Sequence, residues 1–414
     1  MNDETLRELN THPSITKREH ASTDLLAEVG TSSSNLEKKY AHILSFNEKN
    51  QKKHVVVGMS GGVDSSLTAL ILKKRGYKVT GMFMKNWDEV DANGVCTAEE
   101  DFEDVKSTCA VIDIPCIAID FTAEYKDQVF SHFLQEYKKG NTPNPDILCN
   151  KEIKFKVFYD KAMALGADYL ATGHYCINEG GLLKKGIDQN KDQSYFLHAI
   201  NPEVLKNVLF PLGELEKTEV RNLAEWFDLP TKKKKDSTGI CFIGERDFRE
   251  FLSQYISSQK GKFKTLDGET VGVHEGACFY TVGQRKHLGL GGQGPRWFVV
   301  DKCLKTNTVF VERGDHSKLY RDELFLQTID WLVEPECFPM QIKAKIRYRQ
   351  TDQPCRLDRI KDGTFKVSFD DAQKGAVLGQ SVVFYDENLC LGGGVVTGLG
   401  EDYYSSGKPL PTKT

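Results

Sequence analysis

The chain has 414 residues, which at roughly 100–200 residues per domain predicts two to four domains and excludes a small scaffold held by disulfides or a metal. Its 39% hydrophobic residues contain no apolar run near the ~18 residues that span a bilayer, which excludes a membrane protein. The net charge of −4 argues against a protein held on nucleic acid by an overall positive field.

The first 53 residues mix acidic and basic side chains with short apolar patches at Leu25-Leu26 and Ile43-Leu44, and predict a poorly ordered extension. A mitochondrial transit peptide is poor in acids, and the opening Met1-Asn2-Asp3-Glu4 contradicts that pattern. The eleven cysteines, with no secretory signal before them, indicate a reducing cytoplasm. We expect that removal of residues 1–53 leaves the activity intact.

Residues 54–250 predict an α/β domain. Short apolar runs at Val55-Val56-Val57, Val79 to Met84, Cys116 to Ile119 and Tyr169 to Thr172 alternate with helical stretches. This alternation is typical of a parallel sheet with crossover helices.

After residue 250 the helical periodicity fades, and glycine turns separate short alternating segments. Strands are predicted at Thr270 to Val273, Trp297 to Val300, Thr308 to Val311, Ile342 to Tyr348, Thr364 to Phe369 and Ser381 to Phe384. We therefore predict two small β-rich domains, a central one over residues 251–325 and a barrel-like one over residues 326–405.

A glycine-rich segment, Ser60-Gly61-Gly62-Val63-Asp64-Ser65, follows the first predicted strand and opens a helix. Its amides and serine hydroxyls converge on a helix N-terminus, where an anion is favoured, so it predicts a phosphate cradle. It matches neither a Walker loop nor a G-x-G-x-x-G loop. The alternative is a plain turn rich in Gly and Ser. The segment resembles the pyrophosphate loop (PP-loop) of the ATP pyrophosphatase superfamily, in which ATP is cleaved between its α and β phosphates.

Two cysteines follow polar, turn-forming segments of the kind that hold reactive groups. Cys149 ends the stretch Thr142 to Cys149, in which two prolines and an asparagine between them predict irregular structure. Cys241 lies shortly after the run Lys232 to Lys235, which could favour its thiolate, form a solvated surface or meet RNA phosphate. For either cysteine the alternative is a small buried hydrophobe, and the residues alone leave both readings open.

These segments resemble the bacterial and organellar tRNA-specific 2-thiouridylase family, which replaces the 2-oxygen of the wobble uridine with sulfur. The resemblance covers about residues 54–400. It rests on Gly58 to Ser66, Met82 to Trp87, Thr142 to Phe155, Ala171 to Tyr175, Lys191 to Leu197, Asp236 to Arg246, Arg347 to Gln350 and Cys390 to Gly394.

The resemblance implies a role for each motif position. ATP would be bound by Gly58, Met59, Ser60, Gly61, Gly62, Val63, Asp64, Ser65, Met84 and Gly173. The flipped target base would lie against Asn144, Pro145 and Asp146, with Asp146 as acid or base. Contacts with tRNA would come from His174, Lys191, Asp192, Gln193, Arg347, Tyr348 and Gln380. Cys241 would carry the persulfide sulfur and Cys149 would attack it.

The implied chemistry is consistent with general principles. A uracil 2-oxygen is a poor leaving group, so ATP converts it to an adenylate, and Mg²⁺ with the loop amides steadies the departing pyrophosphate. Sulfur transfer leaves a transient disulfide between Cys149 and Cys241, which cytosolic reductants reset. The base must first be extruded from its stack. The expected partners are tRNA and a sulfur donor protein, either a cysteine desulfurase or a sulfur-relay protein.

Several alternatives stay open on the residues. His174 could be a core histidine, and Arg347-Tyr348-Arg349 could be an ordinary solvated face of a strand rather than a phosphate-binding stripe. No C-x-x-C occurs, so we expect neither a metal held by cysteines nor an iron–sulfur cluster. A PP-loop ligase or amidotransferase with a nitrogen nucleophile is the rival activity, and a non-catalytic RNA-binding protein is the second rival.

The charge is also segregated. Acidic residues crowd between Asp88 and Asp104, a span with no Lys or Arg, and basic residues gather at Lys232 to Lys235 and along Lys343 to Arg349. RNA binding is therefore predicted to be local rather than carried by the net charge.

Overall fold

The computed structural model describes residue 36 and residues 38–87, 97–236 and 248–411. Cys241 lies outside the described residues, as do residues 1–35 of the extension and residues 88–96 of the acidic stretch.

The N-terminal domain is built on a parallel sheet, as predicted. Its strands are β1 (His54–Met59), β2 (Lys78–Lys85), β3 (Cys116–Asp120), β4 (Tyr169–Ala171) and β7 (Val208–Leu209), in the order β3-β2-β1-β4-β7 with every pair parallel. Between β4 and β7 the hairpin β5 (Cys176–Glu179) and β6 (Leu182–Lys185) leaves this sheet.

Helices cover both faces of this sheet. The α-helices are Ala41–Leu44, Val63–Lys74, Thr97–Ile112, Thr122–Tyr125, Ser131–Lys138, Pro145–Leu148, Phe158–Ala164, Ser194–Leu197, Pro202–Leu205 and Lys217–Trp226, with a 3-10 helix at Glu48–Lys52 and π-helical turns at Lys126–Phe130 and Cys149–Val157. On β1, Val55 and Val57 face one buried cluster and Val56 faces another. A strand buried on both faces explains why its sequence is continuously apolar.

The end of the N-terminal extension is ordered, which corrects the expectation for residues 1–53. Tyr40 and Ile43 are buried in the same core as Val55 and Leu67. The Tyr40 hydroxyl donates to Glu219 at 3.1 Å, and the Arg75 guanidinium donates to the Ile43 carbonyl at 2.6 Å. The sequence prediction failed here because a short apolar patch between charged residues carries no periodicity.

The central part forms a small four-stranded sheet after the helix Phe248–Ser253. Its strands are β8 (Gly261–Lys264), β9 (Thr270–His274), β10 (Trp297–Cys303) and β11 (Thr308–Arg313), in the order β10-β11-β8-β9, with short 3-10 helices at Ala277–Phe279 and Ser317–Leu319. The β11 and β8 pair is parallel and the other two pairs are antiparallel.

The C-terminal part closes into a barrel, which confirms the barrel-like prediction. Its strands are β12 (Tyr320–Leu326), β13 (Asp330–Trp331), β14 (Met340–Lys345), β15 (Gln353–Arg359), β16 (Phe365–Lys374), β17 (Ser381–Asp386) and β18 (Leu389–Leu399). Six of them follow the circuit β12-β16-β15-β14-β17-β18, and β18 pairs back with β12. The first barrel strand begins at Tyr320, before the predicted boundary at residue 326.

No segment was predicted for the strands β12, β13, β15 and β18, and two further features of the barrel differ from the sequence analysis. The hairpin β5 and β6 joins the barrel sheet, because Leu389 of β18 pairs with Lys184 of β6. The predicted strand Ile342 to Tyr348 ends at Lys345, so Arg347-Tyr348-Arg349 lies in a turn, and Arg349 has a left-handed φ of 65°. The prediction of a basic stripe continuing along a strand to Arg349 is therefore wrong.

Across the described ranges, with their gaps before residue 97 and before residue 248, no helix has the length and apolar character needed to cross a membrane.

Candidate active site

The glycine loop links β1 to the helix Val63–Lys74 and is held by its own side chains. Ser65 accepts a hydrogen bond from the Ser60 amide and donates to the Gly62 carbonyl, both at 3.1 Å. Ser66 also donates to the Gly62 carbonyl, at 2.9 Å. The loop is thus pre-formed at a helix N-terminus, as an anion-binding segment requires.

Two glycines allow other segments to approach this loop closely. Gly61 has a φ of 73°, and a Cβ there would lie 2.6 Å from the Asp101 carbonyl oxygen. A Cβ at Gly173, just after β4, would lie 2.9 Å from the Asp64 carbonyl carbon and 3.0 Å from the Ser65 nitrogen. Gly173 therefore lies directly against the loop. Met84 lies one residue beyond the pair of Met59 and Phe83 on the neighbouring strand.

The Asp64 carboxylate is the acidic group of the loop, and two donors meet one of its oxygens. The Tyr175 hydroxyl donates to Oδ1 at 2.7 Å and the Lys217 ammonium donates to the same atom at 2.6 Å. Burial raises the pKa of Tyr175, and the negative charge of Asp64 raises it further, so the phenol stays protonated as the donor. No local pattern in the sequence marks Lys217 as part of this site.

Asp236 is the last described residue before the gap that contains Cys241, and it lies in the same cluster. Lys191 and Arg221 approach its carboxylate at 2.6 Å each, and Lys217 at 2.9 Å. Burial alone would raise the pKa of Asp236, but the hydrogen bonds from Lys191 and Lys217 hold it well below its usual range. The Asp236 carboxyl group is therefore ionised at neutral pH. Lys191, which is predicted to contact tRNA, forms its ion pair with Asp236 in this cluster.

The expectation of irregular structure from Thr142 to Cys149 is confirmed only in part, because residues 142–144 have no regular structure but a helical turn lies between them and Cys149. Asn144 caps a helical turn, Pro145–Leu148, by accepting from the amides of Asp146 at 3.1 Å and Ile147 at 3.3 Å, and Pro145 occupies the first helical position. Proline and asparagine are favoured at these positions, so the same residues that break a helix interior start one here. Cys149 opens the π-helical turn Cys149–Val157.

The Cys149 side chain is 1% exposed and packs in a cluster with Trp87, Phe130 and Ile153. Asp146 and Asn144, one turn earlier, are half-exposed. The three predicted base-contacting residues and Cys149 are therefore brought together on one helical turn, with the cysteine on its inner side.

His174 has a buried side chain. Its Nδ1 lies 2.7 Å from the Thr172 hydroxyl, and its ring lies between Phe155 and Phe210. Burial lowers the pKa of His174 well below its ordinary value, so the ring is neutral. This is the environment expected of a core histidine, and contact of His174 with tRNA stays a prediction.

Asp192 and Gln193 hold the loop that follows β6. The Asp192 carboxylate accepts from the amides of Gly186 at 3.2 Å and Ser194 at 3.1 Å, and from the Ser194 hydroxyl at 3.0 Å. Gln193 Oε1 accepts from the Tyr175 amide at 3.0 Å. Through Tyr175 this loop is connected to Asp64.

The remaining predicted tRNA contacts lie on the barrel. The Arg347 guanidinium donates to the Lys374 carbonyl, and the ring of Tyr348 packs against Phe196 with centroids 4.6 Å apart. Gln380 precedes β17, and within the described residues its buried Oε1 has no hydrogen-bond partner.

The lysine run before Asp236 is partly neutralised. Lys232 pairs with Asp228 at 2.6 Å, and Lys234 pairs with Asp101 at 2.7 Å and Asp104 at 2.5 Å. The ion pairs of Lys234 attach the run to the helix Thr97–Ile112, which also approaches Gly61. Lys233 and Lys235 are exposed. The interpretation of this run as a surface that binds RNA phosphate therefore applies to these two lysines.

Known proteins are similar to this chain over most of its length. Family models match as a tRNA methyl transferase HUP domain over residues 53–245, a tRNA methyl transferase PRC-barrel domain over residues 249–313 and an aminomethyltransferase beta-barrel domain over residues 321–396. A tRNA-specific 2-thiouridylase of Protochlamydia amoebophila is 55% identical over 369 residues, which is 88% of this chain and 98% of that protein. A second, of Exiguobacterium sibiricum, is 52% identical over 362 residues, 86% of this chain and 96% of that protein.

Among solved structures, a U34-tRNA thiolase of Methanococcus maripaludis with its 4Fe-4S cluster is 17% identical, with a TM-score of 0.33, over 55% of this chain and 70% of that one. A likeness of this strength carries no argument about a cluster in this chain.

Proposed function

The chain belongs to the tRNA-specific 2-thiouridylase family, and we propose on that basis that it converts the wobble uridine of tRNA to 2-thiouridine, with ATP as cosubstrate. The observation that carries this function is the identity of 52–55% over nearly the full length of two curated 2-thiouridylases. The enzyme is a tRNA-uridine 2-sulfurtransferase that produces AMP and pyrophosphate.

ATP binds at the glycine loop. Gly58 to Ser65 supply amides and hydroxyls for the phosphates, Gly173 leaves room beside them, and Met84 lies at the end of the neighbouring strand. What supports this assignment is the pre-formed loop and the close approach of Gly173.

Magnesium fits this site as a companion of the nucleotide. Mg²⁺ is commonly held by one or two carboxylates together with substrate phosphates, and Asp64 offers one such carboxylate. In the described ranges no group of three His, Cys, Asp or Glu side chains is arranged as a metal cage. When bound with ATP, Mg²⁺ would stabilise the negative charge of the departing pyrophosphate. We propose no iron–sulfur cluster.

Activation of the base occurs beside the helical turn Pro145–Leu148. The extruded uracil lies against Asn144, Pro145 and Asp146, and its 2-oxygen attacks the α-phosphate of ATP, so that pyrophosphate leaves and an O2-adenylate forms. The half-exposed Asp146 carboxylate lies in this helical turn, where it accepts or returns the proton of the base.

Sulfur transfer uses Cys241 and Cys149. The thiolate of Cys149 attacks the inner sulfur of the Cys241 persulfide, the S–S bond breaks, and the outer sulfur takes the electron pair and bonds to C2 as AMP leaves. The product is a Cys149–Cys241 disulfide, which two electrons from a cytoplasmic thiol reductant return to thiols. Burial of Cys149 protects it from unproductive oxidation between turnovers.

The proposed contacts with tRNA come from the N-terminal and C-terminal domains of a three-domain chain, for which we propose the division into residues 54–250, 251–325 and 326–405. Lys191, Asp192 and Gln193 act at the mouth of the active site, Arg347, Tyr348 and Gln380 act from the barrel, and His174 acts from beside β4. A sulfur donor protein, a cysteine desulfurase or a relay protein, loads Cys241 in the cytoplasm.

The test is replacement of each working cysteine. Cys149→Ser and Cys241→Ser are expected to abolish 2-thiouridine in cells that depend on this chain, measured by mass spectrometry of tRNA nucleosides. Cys303→Ser, on a β-strand of the central sheet, is the matched control and keeps wild-type levels. Normal 2-thiouridine in either active-site variant contradicts the proposed roles of the two cysteines.

A further inference from the structure

The cluster of charged side chains around Lys217 joins the nucleotide loop to the chain that leads to Cys241. We propose that Lys217 is a positioning residue shared by the two, so that ATP and the sulfur-carrying segment compete for its ammonium group. This inference rests on the proposed function and assigns a role to Lys217 and Asp236 within it.

The geometry places one cation between two anions. The Lys217 ammonium lies 2.6 Å from Asp64 and 2.9 Å from Asp236, and its side chain is only 13% exposed. Partly buried ion pairs are screened less by salt than pairs on the surface. A change of charge at one carboxylate therefore alters the interaction of Lys217 with the other carboxylate.

On the carrier side, Asp236 fixes the end of the segment that precedes Cys241. Arg221 donates to the Asp236 carboxylate at 2.6 Å and to the carbonyls of Lys232 at 3.1 Å and Lys234 at 2.9 Å. Cys241 follows Asp236 by five residues, and an extended chain of that length reaches at most about 18 Å. Whatever holds Asp236 therefore limits where the persulfide sulfur can lie.

On the nucleotide side, bound ATP interacts with both members of the Lys217–Asp64 ion pair. The triphosphate attracts the Lys217 ammonium, and its accompanying Mg²⁺ attracts the Asp64 carboxylate. Binding of ATP therefore draws Lys217 away from Asp236. By thermodynamic linkage the effect is reciprocal, so the hold of Asp236 on Lys217 weakens ATP binding by the same factor.

A double-mutant cycle tests this competition with MgATP as the probe. Asp236→Asn is expected to tighten ATP binding by about three- to tenfold, because Lys217 no longer has Asp236 as a competing partner. The same variant is expected to lower 2-thiouridine formation by about tenfold or more while tRNA-dependent adenylation continues. A role of Asp236 in stability alone would not tighten ATP binding.

The Lys217→Met background separates competition from general electrostatics. If Asp236 acts through Lys217, Asp236→Asn no longer changes the ATP dissociation constant in that background. An equal tightening with and without Lys217 overturns the inference, and so does unchanged ATP affinity in the single Asp236→Asn variant. Lys217→Arg, which keeps the charge, is expected to preserve part of the effect, and Lys217→Gln serves as the uncharged background if Lys217→Met does not fold.

Asp228→Asn is the matched control, because it removes the carboxylate of a nearby Asp–Lys pair that does not contact Asp64. It is expected to leave both ATP affinity and thiolation unchanged. Wild-type thiolation is measured in the same preparations. If the wild type binds ATP without thiolating tRNA, the proposed function fails while the cycle still tests the coupling. If it thiolates and the cycle shows no coupling, only this inference fails.

Discussion

Gly61→Ala is expected to disable the nucleotide loop, because two separate features of the structure require a glycine there. The backbone has a φ of 73°, and a Cβ would lie 2.6 Å from the Asp101 carbonyl oxygen. The contact with Asp101 matters more than the φ angle, since Asp101 belongs to a helix whose side chains also pair with Lys234.

The magnitude follows from the two contributions. A left-handed conformation costs an alanine about 1–2 kcal/mol. Relief of a 2.6 Å contact requires a backbone shift in the loop or in the helix Thr97–Ile112, and overpacking of this kind typically costs about 1–3 kcal/mol. The total of about 2–5 kcal/mol exceeds the roughly 1.4 kcal/mol that corresponds to a tenfold change in affinity. If the loop relaxes out of its binding conformation, ATP affinity falls by more than tenfold.

The assay is ATP binding by calorimetry together with thermal unfolding, with Gly363→Ala as the control. Gly363 also has a left-handed φ, of 88°, but a Cβ there would meet nothing within 4 Å. The control should lose about 1–2 kcal/mol of stability with unchanged ATP affinity. Wild-type ATP affinity and stability in Gly61→Ala would refute the reasoning about the close approach of Asp101.

Other expected outcomes follow from packing and from pKa values. Deletion of residues 1–35 should leave stability unchanged, whereas Ile43→Ala, which truncates a fully buried side chain, should cost about 2–5 kcal/mol in urea unfolding; equal stability of the two would show that the segment does not pack. A hydrogen bond from Cys109 lowers the pKa of Cys116, so Cys116 alkylation should rise with pH through a midpoint below that of an ordinary thiol, and Cys109→Ala should move this midpoint to higher pH; a midpoint unchanged by Cys109→Ala would contradict this. Gly394→Ala should destabilise the barrel, because its Cβ would lie 2.3 Å from the Thr328 carbonyl, and differential scanning calorimetry that shows no loss would be evidence against this contact.

Local signals predicted the parts of this fold whose cause is local. The run Val55 to Val57 followed by Ser60 to Ser65 predicts a buried strand, an anion-binding turn and a helix, because each step is a property of adjacent residues. The alternating segments after residue 250 predicted three of the barrel strands, β14, β16 and β17, for the same reason. The misread turn at Arg347 to Arg349 shows the limit, since the alternation continues through a residue that leaves the strand conformation.

The rest depends on residues far apart in sequence. Lys217 and Asp64 are separated by 153 positions, and no local pattern marks a lysine that joins two carboxylates. The pairing of the hairpin β5 and β6 with β18 is also non-local. Tyr40 and Ile43 were missed because their burial comes from the helix Val63–Lys74 and its neighbours, not from their own surroundings in the sequence.

The most direct test of the central claim is a reconstituted thiolation with tRNA, ATP and a donor protein that carries a labelled persulfide. The account predicts that labelled sulfur appears at C2 of the wobble uridine in amounts equal to the AMP formed, and that Cys149→Ser and Cys241→Ser each abolish the transfer. Label in tRNA without either cysteine, or AMP formed with no label in tRNA from the wild type, would contradict it.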